Sequence, residues 1–187
     1  MKIALSKGRI AKNFYQTLLE KGLIDQIIEE KRNLRIKINN DYEILLVKPN
    51  DVINLVDAKF ADIGIVGSDT LEEQNNNQIV DIFDLQTGIC SFALASLPNT
   101  TINDIKVIAT KYPNIAKRLL QNINLSCQIN QMDGSLEIAP QIGYADAIID
   151  LVETGNTLKA NGLVVNKYLE KISNKLSGKL LYLIFTC

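Results

Sequence analysis

The sequence predicts an α/β fold, on three observations. Short apolar runs alternate with segments of helical period, no internal repeat interrupts the alternation, and the runs end at turns that open helices. With 47% hydrophobic and 22% charged residues, the 187-residue chain has the composition of a globular protein and enough apolar side chains for one large domain or two small ones.

Residues 2–5 read as the first strand, and residues 9–21 as a helix with Ile10, Phe14, Leu18 and Leu19 on one face and Gly22 at its end. Residues 34–38 and 42–47 flank Asn39-Asn40-Asp41, so a β-hairpin is expected. Asp51 is placed to cap a short helix reaching about residue 59. Asp62-Ile63-Gly64-Ile65-Val66-Gly67 reads as a buried strand, with Ser68 or Asp69 capping the helix after it. Polar residues 74–78 read as a surface loop. Further strands are expected near 80–83, 91–97, 106–109, 127–131 and 145–151, with helices at 115–122 and 136–142. Pro98-Asn99-Thr100-Thr101 is the strongest punctuation, and a domain crossover is placed shortly before it.

Composition excludes several chemistries. Lys and Arg total 20 against 21 Asp and Glu, a net charge of −1, which gives no footprint for nucleic acid. Histidine is absent, so no Ser-His-Asp or Cys-His catalysis and no His-ligated metal can operate. Cys90, Cys127 and Cys187 are too far apart for a zinc pair and read as reduced thiols. No apolar stretch approaches the roughly 18 residues of a membrane span, and none follows Lys2 as a secretion signal would, so a cytoplasmic chain is expected.

Chemistry concentrates in three segments. In Asp150-Leu151-Val152-Glu153-Thr154-Gly155-Asn156-Thr157, an apolar strand runs into two carboxylates and a Thr-Gly-x-Thr turn that opens a helix. Amides at a helix start, short hydroxyls and a close-approach glycine suit a phosphate, and Asp150 and Glu153 suit the hydroxyls of an attached sugar, directly or through a divalent cation. The plainer reading makes Asp150 a helix cap and Gly155 a turn residue. Asp133-Gly134-Ser135-Leu136-Glu137 follows a strand, with Ser135 as N-cap its simpler explanation. Ser6-Lys7-Gly8-Arg9 lies at a strand's carboxyl end, where open α/β sheets take ligands, although exposed basic residues ordinarily face water.

Taken in order, Lys7-Gly8-Arg9, Asp62-Ile63-Gly64-Ile65-Val66-Gly67-Ser68-Asp69, Ala109-Thr110-Lys111-Tyr112-Pro113, Gly134-Ser135-Leu136-Glu137-Ile138-Ala139-Pro140 and the segment from Glu153-Thr154-Gly155-Asn156-Thr157 to Leu163 resemble the ATP phosphoribosyltransferase family of histidine biosynthesis. The resemblance implies two α/β lobes of the type II periplasmic-binding-protein kind with a cleft, the first of residues 1–90 plus about 177–187 and the second of 91–176. It implies transfer of the phosphoribosyl group of phosphoribosyl pyrophosphate to N1 of ATP, with Mg²⁺ accompanying the pyrophosphate substrate and no directly bound protein metal assigned.

Carried over, the sugar-phosphate loop falls on Asp150, Thr154, Gly155, Asn156 and Thr157 with Glu137 near the ribose, catalytic roles on Glu137 and Asp150, and further substrate binding on Ser135 and Glu153. The nucleotide side falls on Lys7, Arg9, Arg32, Lys48 and Asp69. Lys48 stands where many members have arginine, which keeps the charge and loses the bidentate fork; Arg32 matches an Arg-x-Leu pattern. No room is left for the histidine-sensing domain of the longer form, so the resemblance is to the short form, which works with a regulatory subunit resembling histidyl-tRNA synthetase. Residues 180–185, Leu-Leu-Tyr-Leu-Ile-Phe, read either as a strand returning to the first lobe or as an exposed β-prone tail. A ligand-binding module of the same architecture and an inactive truncated enzyme are the alternative readings.

Overall fold

The computed structural model describes residues 1–28, 33–38, 40–75, 79–84, 90–172 and 174–179, with backbone alone for 79–84 and 174–179. Arg32, Asn39, the loop residues 76–78 and the apolar residues 180–185 with Cys187 lie outside them. The chain divides into two compact units, Met1–Gly88 with Ser173–Cys187, and Ile89–Ile172.

In chain order the first unit runs β1 (Lys2–Ser6), α1 (Arg9–Glu20), β2 (Arg35–Lys37), β3 (Glu43–Val47), α2 (Pro49–Asp57), β4 (Ile63–Gly67), α3 (Ser68–Gln74) and β5 (Ile79–Asp84). The second runs β6 (Cys90–Ser96), β7 (Val107–Thr110), α4 (Pro113–Asn122), β8 (Gln128–Gln131), α5 (Ile138–Gln141), β9 (Ala147–Val152), α6 (Asn156–Ala160) and β10 (Val164–Ile172), after which β11 (Asn174–Lys179) rejoins the first. The first sheet has the order β2-β3-β1-β4-β11-β5 and the second β10-β6-β9-β7-β8. The return thus falls before residue 174 rather than near 177: β11 lies antiparallel between β4 and β5, which binds residues 174–176 into the first sheet.

Each sheet is covered on both faces, so its parallel strands read as unbroken apolar runs. In the first unit Ile3 and Leu5 pack with Ala11 and Tyr15 of α1, while Ala4 between them packs with Val52, Ile53 and Val56 of α2. In the second, Phe92 and Leu94 cluster with Ile115 and Leu119 of α4, and Ala93 and Ala95 with Ala139 of α5 and Leu158 of α6. The expected hairpin is present, Ile36 facing Ile44 across antiparallel β2 and β3.

Three expected caps are displaced. The N-cap position of α2 is Lys48, with Pro49 starting the helix, because proline's fixed φ suits a first turn that needs no N–H donor there; Asp51 instead adds charge to that turn. Ser68 and Asp69 lie inside α3, whose N-cap is Gly67. Ser135 has φ 53, a left-handed conformation that an N-cap does not adopt, so the turn tightens through Ile138 N–H to Ser135 O and Ala139 N–H to Leu136 O, and α5 starts only at Ile138. Strand β10, bonded antiparallel to β6, was not expected at all.

Candidate functional site

Parallel strands direct their carboxyl ends, and the loops after them, to one edge of a sheet. In the first unit β1 lies between β3 and β4, parallel to both. That edge gathers Lys7, Gly8 and Arg9 after β1, Lys48 after β3, and Ser68 and Asp69 after β4. The Lys7 amide donates to Val47 O at 3.0 Å, which fixes the β1 turn beside Lys48. Gly8 makes that turn with φ 84, a conformation open to glycine at little cost, and Arg9 begins α1. Lys7, Arg9 and Lys48 are exposed. Asp69 is different: it is only 8% exposed, and its carboxylate folds back over Gly67 while accepting from Thr70 Oγ1 at 3.3 Å.

The second unit repeats the arrangement, β7 lying between β8 and β9 and parallel to both. Its carboxyl edge carries Lys111 after β7, Ser135 and Glu137 after β8, and Glu153, Thr154, Gly155, Asn156 and Thr157 after β9. Asp150 projects from the body of β9 opposite Ala93, and its Oδ1 accepts from the Leu151 amide at 2.8 Å. It therefore caps no helix. The Asp150 carboxyl is pushed up to about 6, chiefly by burial and in smaller part by the Glu137 charge, with the Leu151 hydrogen bond and, least, Lys111 acting against them. The structure thus brings Asp150, Glu137 and Lys111 into one electrostatic group.

Gly155, with φ 74, is the N-cap of α6, a conformation in which a side chain is strained. Thr154 Oγ1 accepts from the Asn156 amide at 3.5 Å, leaving Thr157 exposed in the first helical turn. Not every acid of the segment is available for chemistry: Asp146 Oδ2 accepts from the Lys106 and Val107 amides at 2.8 and 2.9 Å, holding the start of β7. Arg32 lies outside the described residues.

Two residues of the Ala109–Pro113 motif were given no role in the sequence reading. Thr110 is fully buried, its hydroxyl donating to Ile149 O at 2.7 Å and accepting from the Tyr112 amide at 3.0 Å. Leaving either partner unmet in that interior costs about 1–3 kcal/mol. Lys111 follows it, and the available signal was a lysine placed directly after a strand that ends at the ligand edge.

Two α/β units, each built on parallel strands whose carboxyl edges carry the charged and hydroxyl groups, are the architecture of periplasmic-binding-protein-like proteins. The aliphatic sulphonate binding protein SsuA of Escherichia coli shares this fold, with a TM-score of 0.64 at 16% identity over 99% of this chain and 66% of its own. The family model for ATP phosphoribosyltransferase, HisG, matches residues 48–180. The ATP phosphoribosyltransferase of Lactococcus lactis subsp. cremoris is 42% identical over 181 residues, covering 94% of this chain and 86% of that one. Among solved structures, the ATP phosphoribosyl transferase (HisG:HisZ) complex from Thermotoga maritima aligns with a TM-score of 0.77 at 31% identity, over 97% of this chain and 88% of that one. The chain belongs to the ATP phosphoribosyltransferase family.

Proposed function

We infer that this chain transfers the phosphoribosyl group of phosphoribosyl pyrophosphate to N1 of ATP, releasing pyrophosphate, the first step of histidine biosynthesis. Family membership over most of the chain supports the reaction. The observation that supports its location is the partly buried Asp150 carboxylate, grouped with Glu137 and Lys111 at the carboxyl edge of the second sheet.

In the transfer, the bond from the anomeric carbon to pyrophosphate breaks and a bond to adenine N1 forms from the nitrogen's own lone pair. No general base is needed, so a chain without histidine can perform it. Positive charge develops on the ribose and negative charge on the departing pyrophosphate. In this reading Asp150 and Glu137 stabilise the cationic ring as ionised carboxylates, and Glu153 accepts from ribose hydroxyls. Ser135, Thr154, Gly155, Asn156 and Thr157 supply hydroxyls and amides to the 5′-phosphate. Lys7, Arg9, Arg32 and Lys48 meet the nucleotide's phosphates, and Asp69 accepts from its amino or hydroxyl groups.

In this reading Mg²⁺ accompanies the pyrophosphate substrate, as Mg²⁺ is commonly held by one or two carboxylates plus substrate phosphates. The Thermotoga maritima neighbour is a HisG:HisZ complex, and we extend to this chain a hetero-oligomer with a regulatory subunit resembling histidyl-tRNA synthetase. A cytoplasmic location completes the reading; among the described residues no helix is long and apolar enough to cross a membrane. The binding-module alternative draws only on fold, at 16% identity.

Mass spectrometry of ATP, phosphoribosyl pyrophosphate and Mg²⁺ incubated with the chain, with and without the regulatory subunit, is expected to reveal phosphoribosyl-ATP. Folded protein that yields none under either condition would overturn the reading and favour the binding module. Thr157→Val, which removes one hydroxyl from the phosphate loop, is expected to raise KM for phosphoribosyl pyrophosphate about tenfold, as the loss of one charge-assisted hydrogen bond should, with KM for ATP little changed. Equal losses for both substrates would exclude this loop as the sugar-phosphate site.

A further inference from the structure

Strand β9 outruns one of its neighbours. On one flank it pairs with β6 as far as Val152, opposite Ser91, whereas on the other its pairing with β7 stops at Ile149, opposite Thr110. Asp150 is thus the first β9 residue past the end of β7, and it is only half-buried. Both peptide groups that flank it are held by side chains. The carbonyl of the Ile149–Asp150 peptide accepts from the Thr110 hydroxyl at 2.7 Å, and the N–H of the Asp150–Leu151 peptide donates to Asp150 Oδ1 at 2.8 Å. In a strand a carbonyl and the amide two residues on face the same neighbour, so both bonds lie on the flank that β7 is leaving. The Thr110 hydroxyl also accepts from the Tyr112 amide at 3.0 Å, a turn that leads β7 off into Pro113 and α4. On the far side Thr110 O accepts from the Met132 amide at 3.0 Å, so the end of β7 is tied in place.

We propose that Thr110 is a positioning residue for the transfer: its hydroxyl ends β7 and holds the peptide plane from which Asp150 hangs, so that the carboxylate stands beside the open end of β7 in the orientation the ribose needs. The proposal rests on the reaction assigned above and on the place of Asp150 in it. A planar peptide carries the constraint, because fixing the Ile149 carbonyl fixes the Asp150 nitrogen in the same plane, leaving φ and ψ of Asp150 as the soft dihedrals. The Leu151 bond restrains the second plane, and with both planes held the carboxylate has little room to swing. Thr110 is fully buried. Packing alone asks there only for a β-branched shape, which valine also has; the hydroxyl is what serves the site.

The test is a set of kcat and KM measurements on the full chain with its regulatory subunit, normalised to folded protein. Thr110→Val, which keeps the shape and removes the hydroxyl, is expected to lower kcat about tenfold, as a misaligned catalytic group does, with KM for ATP little changed. Thr110→Ser, which keeps the hydroxyl, is expected to restore most of the rate. In an Asp150→Asn background the valine change is expected to cost almost nothing further, because it acts through that carboxylate. A threonine that serves only the fold would reduce the amount of folded enzyme and leave kcat per folded molecule intact. That result, or a full additive loss in the Asp150→Asn background, overturns the proposal. Amide hydrogen exchange at Leu151 in ligand-free protein reads the same coupling without turnover, and faster exchange is expected in Thr110→Val. If the valine variant does not fold, Thr110→Cys, whose thiol is a weak donor, is expected to show a partial loss of kcat and faster Leu151 exchange; if neither moves, the proposal fails. A wild type that makes no product overturns the assigned reaction itself. A wild type that does, with Leu151 exchange unmoved in Thr110→Val, overturns the Thr110 role alone.

Discussion

Asp150→Asn is expected to remove most of the turnover and, at pH 7, to make the protein more stable. Asparagine keeps the oxygen that accepts the Leu151 amide at 2.8 Å, so local geometry survives while the charge is lost. Loss of a group aimed at developing transition-state charge lowers kcat on the order of a hundredfold. Stability moves the other way because the Asp150 carboxyl titrates at about 6 in the fold against 3.8 for an ordinary aspartate. A raised acid binds its proton more tightly folded than unfolded, so its ionisation opposes folding. The opposition is complete above pH 6, fades between 6 and 4, and is absent below, with an upper bound of about 3 kcal/mol from the size of the shift. Denaturation of both proteins at pH 7.5 and pH 4 checks this: the variant's advantage is expected at the first and should vanish at the second. Unchanged turnover would remove Asp150 from the site.

Gly67→Ala is expected to damage the nucleotide side of the protein through space alone. Gly67 has φ −68 and ψ 147, which alanine adopts freely, so the backbone offers no objection. The added Cβ, however, falls 2.0 Å from Asp69 Oδ1 and 3.2 Å from its Cγ. The Asp69 carboxylate must shift to make room, which disturbs its buried position and the bond that its other oxygen accepts from Thr70. Overpacking of this kind costs about 1–3 kcal/mol, and KM for ATP is expected to rise at least several-fold with that for phosphoribosyl pyrophosphate nearly constant. The double variant Gly67→Ala with Asp69→Ala separates the effects: it should regain stability and keep the ATP defect, a non-additivity expected of touching residues. Recovery of ATP affinity in the double variant would show that Asp69 does not serve the nucleotide.

Much of this architecture was legible in the sequence because strands covered on both faces must be largely apolar, as Ile3-Ala4-Leu5 of β1, Ile63–Gly67 of β4 and Ala147-Ile148-Ile149 of β9 are. Strand β10 was illegible for the opposite reason. It lies at a sheet edge, and register shifts between Val165 and Lys167 and between Tyr168 and Glu170 break the two-residue alternation by which a half-buried strand is known. The caps failed because Asp51, Asp69 and Ser135 are residue types suited to several positions, and only φ/ψ decides between them. At the candidate site the sequence supplied the residues of each edge, since loops after parallel strands share an edge by construction. It did not supply the bond from the Thr110 hydroxyl to Ile149 O, which joins residues far apart in the chain and depends on the β7–β9 register.

The placement of β11 bears on how the protein is made. The second unit is one unbroken stretch, Ile89–Ile172, and can complete its sheet as soon as that stretch has left the ribosome. The first cannot: β4 and β5 are separated by β11, which begins only at Asn174, after the whole of the second unit. Through the whole synthesis of the second unit, β4 presents a row of unmet backbone groups on one side. The half of the protein that is translated first is therefore finished last, and a chaperone that shields nascent strands has its longest engagement there.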